Sequence, residues 1–187
     1  MPSTSLGVWR LTRMIHLQEV DLQCASSSLV SPPNPRLFEE NVRGYGLLLS
    51  AHFQGFCRDL YSECAQVIAS RVRITLQAMV QSQFTAHRAL DHGNPNLSNI
   101  RKDFERFGFT LDLAAADIAN PPRITHLSKL NEWRNIAAHQ GTVPPTGLPS
   151  VTDLRNWRNS CDGLAASLDR VMYNRLKRQL RRDPWPP

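Results

Sequence analysis

From Leu37 to about Ile68 the apolar residues Leu37, Val42, Leu47, Leu48, Phe53, Phe56, Leu60, Cys64, Val67 and Ile68 recur mostly at spacings of three, four and seven. That period predicts a long helix with one buried stripe. Gly44 and Gly46 fall inside it and are expected to kink or interrupt it. A second helix is predicted over 72–90, ending in the loop "DHGNPN", whose Gly, Asn and Pro do not continue a helical turn. Asn96 or Ser98 is placed to cap a short helix through Phe107, while "FTLDLAAADIAN" after it fits no period. Pro121 suits the first turn of the next helix, Ile124 to His139, which Gly141 stops. Ser150 and Asp153 have capping-box spacing for a last long helix, Asp153 to about Leu180. No stretch alternates in the way of a half-buried strand. The pattern therefore predicts an all-α fold, a bundle of four or five helices with short connections.

The ends read differently. Residues 1–35 hold a short amphipathic piece, Leu6 to Leu22, then Ser26-Ser27-Ser28 and the prolines between Pro32 and Pro35, and are expected to form an arm and linker. Residues 36–182 are the expected domain, and 183–187 a disordered tail. A length of 187 residues suits one compact domain with its own core. The four cysteines, Cys24, Cys57, Cys64 and Cys161, form no metal-ligand pattern, so neither metal nor cofactor is expected. Arg10 and Arg13 break the N-terminal apolar run, and no run approaches the ~20 residues of a membrane span, so the expectation is a cytoplasmic protein off the membrane.

Charge changes this picture. The chain carries a net +6, and three of its 22 basic residues are lysines, which leaves 19 arginines. Arginine's planar fork matches phosphate, which leans toward nucleic acid; arginine-rich codon usage explains the same bias equally well.

The segment "NEWRNIAAHQG", Asn131 to Gly141, concentrates the candidate chemistry. At ~100° per residue, Leu127, Leu130, Trp133, Ala137 and Ala138 share one side of the helix, and Ser128, Asn131, Glu132, Asn135 and His139 the other. Arg134 is the misfit, falling within the apolar stripe between Leu127 and Leu130, roughly 140° from His139. A guanidinium in apolar surroundings needs an anion. That anion is either an internal carboxylate or a ligand, and both readings are open at this point. His139 is equally open, since a histidine in a last turn also complements the helix dipole. Asn135 shares a face with His139 at i, i+4. One chain makes only half a site; two copies of this helix about a two-fold axis would bring two arginines and two histidines to one groove. Trp157-Arg158-Asn159 repeats the tripeptide, but five residues after Arg158 stands Gly163, so packing and solvated surface are expected there.

"RNIAAH" resembles the R-polar-x-x-x-H motif of the HEPN superfamily, with Arg134 the arginine, Asn135 the polar residue and His139 the histidine. "YGLLLSAHFQGFCRDLYSECAQVI", Tyr45 to Ile68, is similar to the long helix near the start of many HEPN domains. The nearest flavour is the RNase LS-like and prokaryotic branch, and the resemblance covers about residues 40–180. It implies a metal-independent endoribonuclease acting through the RNA 2′-hydroxyl, a homodimer, and a toxin or phage-defence role with an antitoxin or other regulatory partner. Arg134 would hold the phosphate oxygens while paired histidines move protons. The sequence departs from the pattern at Gly141, where many toxins carry a tyrosine, and at Gln54, where several relatives carry an acid. Glu63, Asp59 and Glu132 are the alternative carboxylates, and His52, on the long helix, is the other histidine to follow. The basic run "NRLKRQLRR" offers Arg175, Lys177, Arg178, Arg181 and Arg182 for an RNA backbone, or else a solvated helix end. Two further readings stand beside the nuclease. One is a non-catalytic HEPN-like module that binds a protein, nucleotide or nucleic acid. The other is a basic nucleic-acid-binding protein in which Arg134 joins an internal ion pair.

Overall fold

The computed structural model describes residues 2–27, 29, 34–138 and 147–185, and among them it is all-helical. The elements are α1 (Thr4–Val8), a π-helical turn (Trp9–Arg13), α2 (Met14–Ser27), α3 (Pro35–Ala69), α4 (Ile74–Thr85), α5 (Ala89–His92), α6 (Leu97–Phe104) with a 3-10 turn (Glu105–Phe107), α7 (Asn120–Ala138) and α8 (Val151–Leu180).

Local chemistry sets the boundaries. Asn34 caps α3 by accepting from the Leu37 amide, and Pro35 occupies the first turn, where its missing N–H costs nothing. Asn96 caps α6 through the Asn99 amide. Ser150 and Asp153 form the reciprocal capping box of α8, and the Ser150 hydroxyl donating to Asp153 holds that carboxyl below its usual range. α3 runs through Gly44 and Gly46 without a break, contrary to the expected interruption. Gly46 has a packing reason instead: a Cβ there would stand 2.6 Å from Cδ1 of Trp133 on α7, so its absence lets the two helices close up.

α3 is the central rod, against which α1, α2, α4, α7 and α8 pack. Its buried face joins Leu127, Leu130 and Trp133 of α7 and Leu154, Leu164, Leu168, Met172 and Leu176 of α8 in one core. α7 and α8 lie antiparallel: His126 meets Ser160 at 2.8 Å and Asn120 accepts from Ser167 at 3.2 Å, so rising numbers on one match falling numbers on the other.

The N-terminal arm is not separate from the domain. Leu6, Trp9, Leu17 and Cys24 are buried in the common core, with Trp9 set against Phe53 and Phe56 at 5.9 and 5.7 Å. Acids pin the same face. Glu63 accepts from the Thr4 and Ser5 amides, Asp169 from the Ser3 amide, and Asp162 from the Trp9 indole and Arg10. Burial pushes Asp169 above its ordinary value. The expected disordered tail is corrected in part as well: Trp185 is buried in the core, while residues 186–187 lie outside the described residues. None of the described helices is long and apolar enough to cross a membrane.

Candidate functional site

The last turns of α7 carry Arg134 and Asn135; His139, with Gly141, lies outside the described residues. Trp133 locks this end of α7 by seating its buried indole against Gly46. Arg134 is half-buried and Asn135 exposed. Among the described residues Arg134 forms no ion pair; its Nη1 donates to Asn135 Oδ1 at 3.4 Å, a long bond to a neutral amide. The internal carboxylate that is one reading of Arg134 is therefore not found among the described residues: Asp59 pairs with Arg13, Glu63 caps α1, and Glu132 is exposed with no ion pair among them.

A neutral relay positions the pair. Gln54 of α3 donates to the Leu90 and Gly93 carbonyls at 2.6 and 3.0 Å, which ties the loop after α5 to the central rod. Asn99 donates to the Asn94 carbonyl, and the Asn94 amide donates to Asn135 Oδ1 at 2.7 Å. Asn135 Oδ1 thus accepts from a fixed loop on one side and from Arg134 on the other. Buried Asp103, by accepting from the Ala89 and Leu90 amides, anchors α5 below the loop. Asn94 escaped the sequence reading because nothing in its spacing links it to Asn135, and only the turn chemistry of "DHGNPN" marks the place. Asn131, assigned by the helical wheel to the polar face, is instead buried, donating to the Leu127 carbonyl at 2.9 Å.

The second W-R-N reads differently from expectation. Arg158 is not solvated: its Nη1 donates to Asp21 at 3.0 Å and to Tyr45 Oη at 3.4 Å, and Arg155 holds the other flank of Asp21. Burial nevertheless pushes the Tyr45 phenol up to about 12. Trp133 and Trp157 both line a groove of about 330 Å³ between α7 and α8, with Lys129, Glu132 and Ile136 on its walls. By helical arithmetic that groove faces roughly 150° away from Arg134.

The basic run at the end of α8 is divided. Arg175 donates to the Gly108 carbonyl at 2.5 Å and lies over the Phe109 ring, and Lys177 pairs with Asp183 at 2.8 Å. Arg178, Arg181 and Arg182 are exposed. The antiparallel register puts Arg134 near the start of α8, so these three stand about 26 to 30 residues further along, roughly 40 Å away at ~1.5 Å per residue. Arg134 and the basic run are not brought together within one chain.

His52 lies beside His16, its Nε2 3.2 Å from His16 Nδ1, with Arg13 bonded to the His52 carbonyl. Burial, then His16 and Arg13, hold His52 below its ordinary value. The four cysteines are buried free thiols, and burial raises each of them.

Comparison with family models, curated proteins and solved structures returns no match. The functional reading rests on these residues alone.

Proposed function

We propose that the chain is a HEPN-type, metal-independent endoribonuclease that cleaves RNA through its own 2′-hydroxyl, working as a homodimer in a toxin or phage-defence setting. The observation that carries the reading is Arg134: a half-buried guanidinium with no carboxylate partner among the described residues, aimed by an amide that is itself held by Asn94. Guanidinium has five N–H donors, and one long bond leaves the fork free for two phosphate oxygens. In this role Arg134 stabilises the negative charge that grows on the non-bridging phosphate oxygens. His139 and its copy in a second chain would remove the 2′-proton and protonate the leaving 5′-oxygen, leaving a 2′,3′-cyclic phosphate. Histidine suits both tasks near neutral pH.

Arg178, Arg181 and Arg182 give a second anchor for a longer RNA. Three phosphate contacts on a single strand predict a log–log salt slope of about −2. The test is incubation of RNA with purified protein in EDTA, with a substrate carrying a single 2′-deoxy position as control. Cleavage that yields cyclic phosphate and stops at the 2′-deoxy position supports the proposal, as does its loss in Arg134→Ala and His139→Ala. RNA binding without cleavage would replace it with the non-catalytic module.

A further inference from the structure

Arg134 and the exposed arginines at the end of α8 stand roughly 40 Å apart, and α6 lies across the gap between them. Its start touches the first. Arg134 donates to Asn135, Asn94 donates to the same oxygen, and Asn99, in the first turn of α6, donates to the Asn94 carbonyl. Its far end touches α8: past the 3-10 turn, the Phe107 carbonyl accepts from Gln179 and the Gly108 carbonyl from Arg175. Arg106, Gly108 and Gln179 also line one pocket, which sets Arg106 beside the turn of α8 that carries Arg178.

Between these ends the chain presents cations. Ile100, Asp103 and Phe104 are buried, while Lys102 and Arg106 are exposed and line a single cleft of about 440 Å³ together with Gln83 and with His87 from the turn after α4. Lys102 has no ion pair among the described residues. Arg106 donates to the Ala86 and Gln83 carbonyls and likewise meets no carboxylate among them. The acid on the wall, Asp103, is 1% exposed and accepts with both oxygens from the Ala89 and Leu90 amides. Arg101 is taken up elsewhere, by Glu105 and the Leu111 carbonyl.

We propose that α6 carries a single strand of RNA from Arg134 to the basic end of α8, with Lys102 and Arg106 holding backbone phosphates on the way. Four residues along a helical rise put these two cations about 6–7 Å apart, close to the separation of neighbouring phosphates in a single strand. A free anion would use one such site; a strand uses a continuous row. At ~3.4 Å per stacked nucleotide, about twelve nucleotides cover the whole distance. A basic groove that follows the backbone is the general means of holding a single strand without reading its bases. The inference rests on the nuclease reading in taking Arg134 as a phosphate site, and it does not require that the strand be cut.

The test measures binding of the full chain to a single-stranded RNA of about twelve nucleotides, made uncleavable by 2′-deoxy substitution, by fluorescence anisotropy across a salt series. Cleavage of the all-ribose strand in EDTA is followed separately. Lys102→Ala is expected to lower the salt slope by about 0.7, one single-strand phosphate, and Lys102→Glu to weaken binding roughly tenfold, while Lys102→Arg preserves both. Lys129→Glu, at an exposed cation in the groove turned away from Arg134, makes the same change in net charge and is expected to leave binding in place. Unchanged circular dichroism shows that each variant is folded. No loss in Lys102→Glu, or an equal loss in Lys129→Glu, overturns the path. If the wild type cuts the all-ribose strand while Lys102→Glu binds normally, the path fails and the nuclease stands. If Lys102→Glu alone binds weakly and the wild type cuts nothing, the nuclease reading fails and the path stands.

Discussion

Trp133-Arg134-Asn135 and Trp157-Arg158-Asn159 begin alike, each with a buried tryptophan, and both tryptophans line one groove between α7 and α8. They part at the arginine. Arg158 reaches across to α2 and is met by the buried Asp21 carboxylate at 3.0 Å and the Tyr45 phenol, so its charge is compensated inside the chain. Arg134, also half-buried, meets the amide oxygen of its neighbour and no carboxylate among the described residues. They part again five residues on: Gly163 makes room for the Arg123 side chain lying over it, whereas His139 offers an imidazole. One copy has its arginine compensated inside the chain; on the proposed reading the other keeps its arginine for an external anion. Burial alone therefore does not tell the two arginines apart, and the identity of the partner does.

Substitutions can break this contrast. The largest effect is expected for Arg134→Ala, which should lower RNA cleavage by about 10²–10³-fold, the scale of losing one donor to developing charge, while the thermal midpoint moves little. Next, Asp21→Ala should cost on the order of 3 kcal/mol, because it strands Arg158 in low-dielectric surroundings. For a chain of this size that is roughly 10 °C in the melting temperature, measurable by calorimetry, with cleavage by the surviving folded fraction unchanged. Gly46→Val should cost about 1–3 kcal/mol by driving a side chain into Trp133, and because it displaces α7 it should lower stability and cleavage together.

Asn94→Ala removes the donor that fixes Asn135. Its expected cost is about 1 kcal/mol, read as a several-fold fall in cleavage with the melting curve almost intact. The smallest effect concerns His52, a base whose neighbours are other bases rather than an acid. Its native affinity for a proton is below the ordinary 6.5, so the unfolded chain binds more protons in that window. Stability should be full above about pH 6.5 and decline as the pH falls below it. His52→Gln should flatten that decline in thermal melts between pH 7 and 5. Asp169, raised by burial, works in the opposite sense at the lower pH where carboxylates titrate.

Much of the fold was legible in the chain. The long α3 stripe, the Asn96 cap and the Ser150–Asp153 box are local patterns, and the structure realises each of them. What was not legible is either non-local or two-faced. Asp21 and Arg158 lie 137 positions apart, and no spacing rule joins them. The N-terminal helix was read as an arm because apolar residues on both faces blur its period, and its anchors Glu63, Asp162 and Asp169 come from distant helices. Arg134 was marked by its place in the stripe, yet whether a carboxylate waited opposite it depended on tertiary packing. The basic run at the end of α8 read as one patch in sequence, but Gly108, Phe109 and Asp183 engage two of its members.

The most direct test of the contrast between the two arginines is an NMR titration of the Nε–Hε resonances with an RNA made uncleavable by 2′-deoxy substitution. The Arg134 resonance is expected to shift in a saturable way while that of Arg158, held by Asp21, stays in place. An Arg134 resonance that does not move while the RNA binds, or one that moves no more than Arg158, would contradict the assignment of Arg134 to an external phosphate.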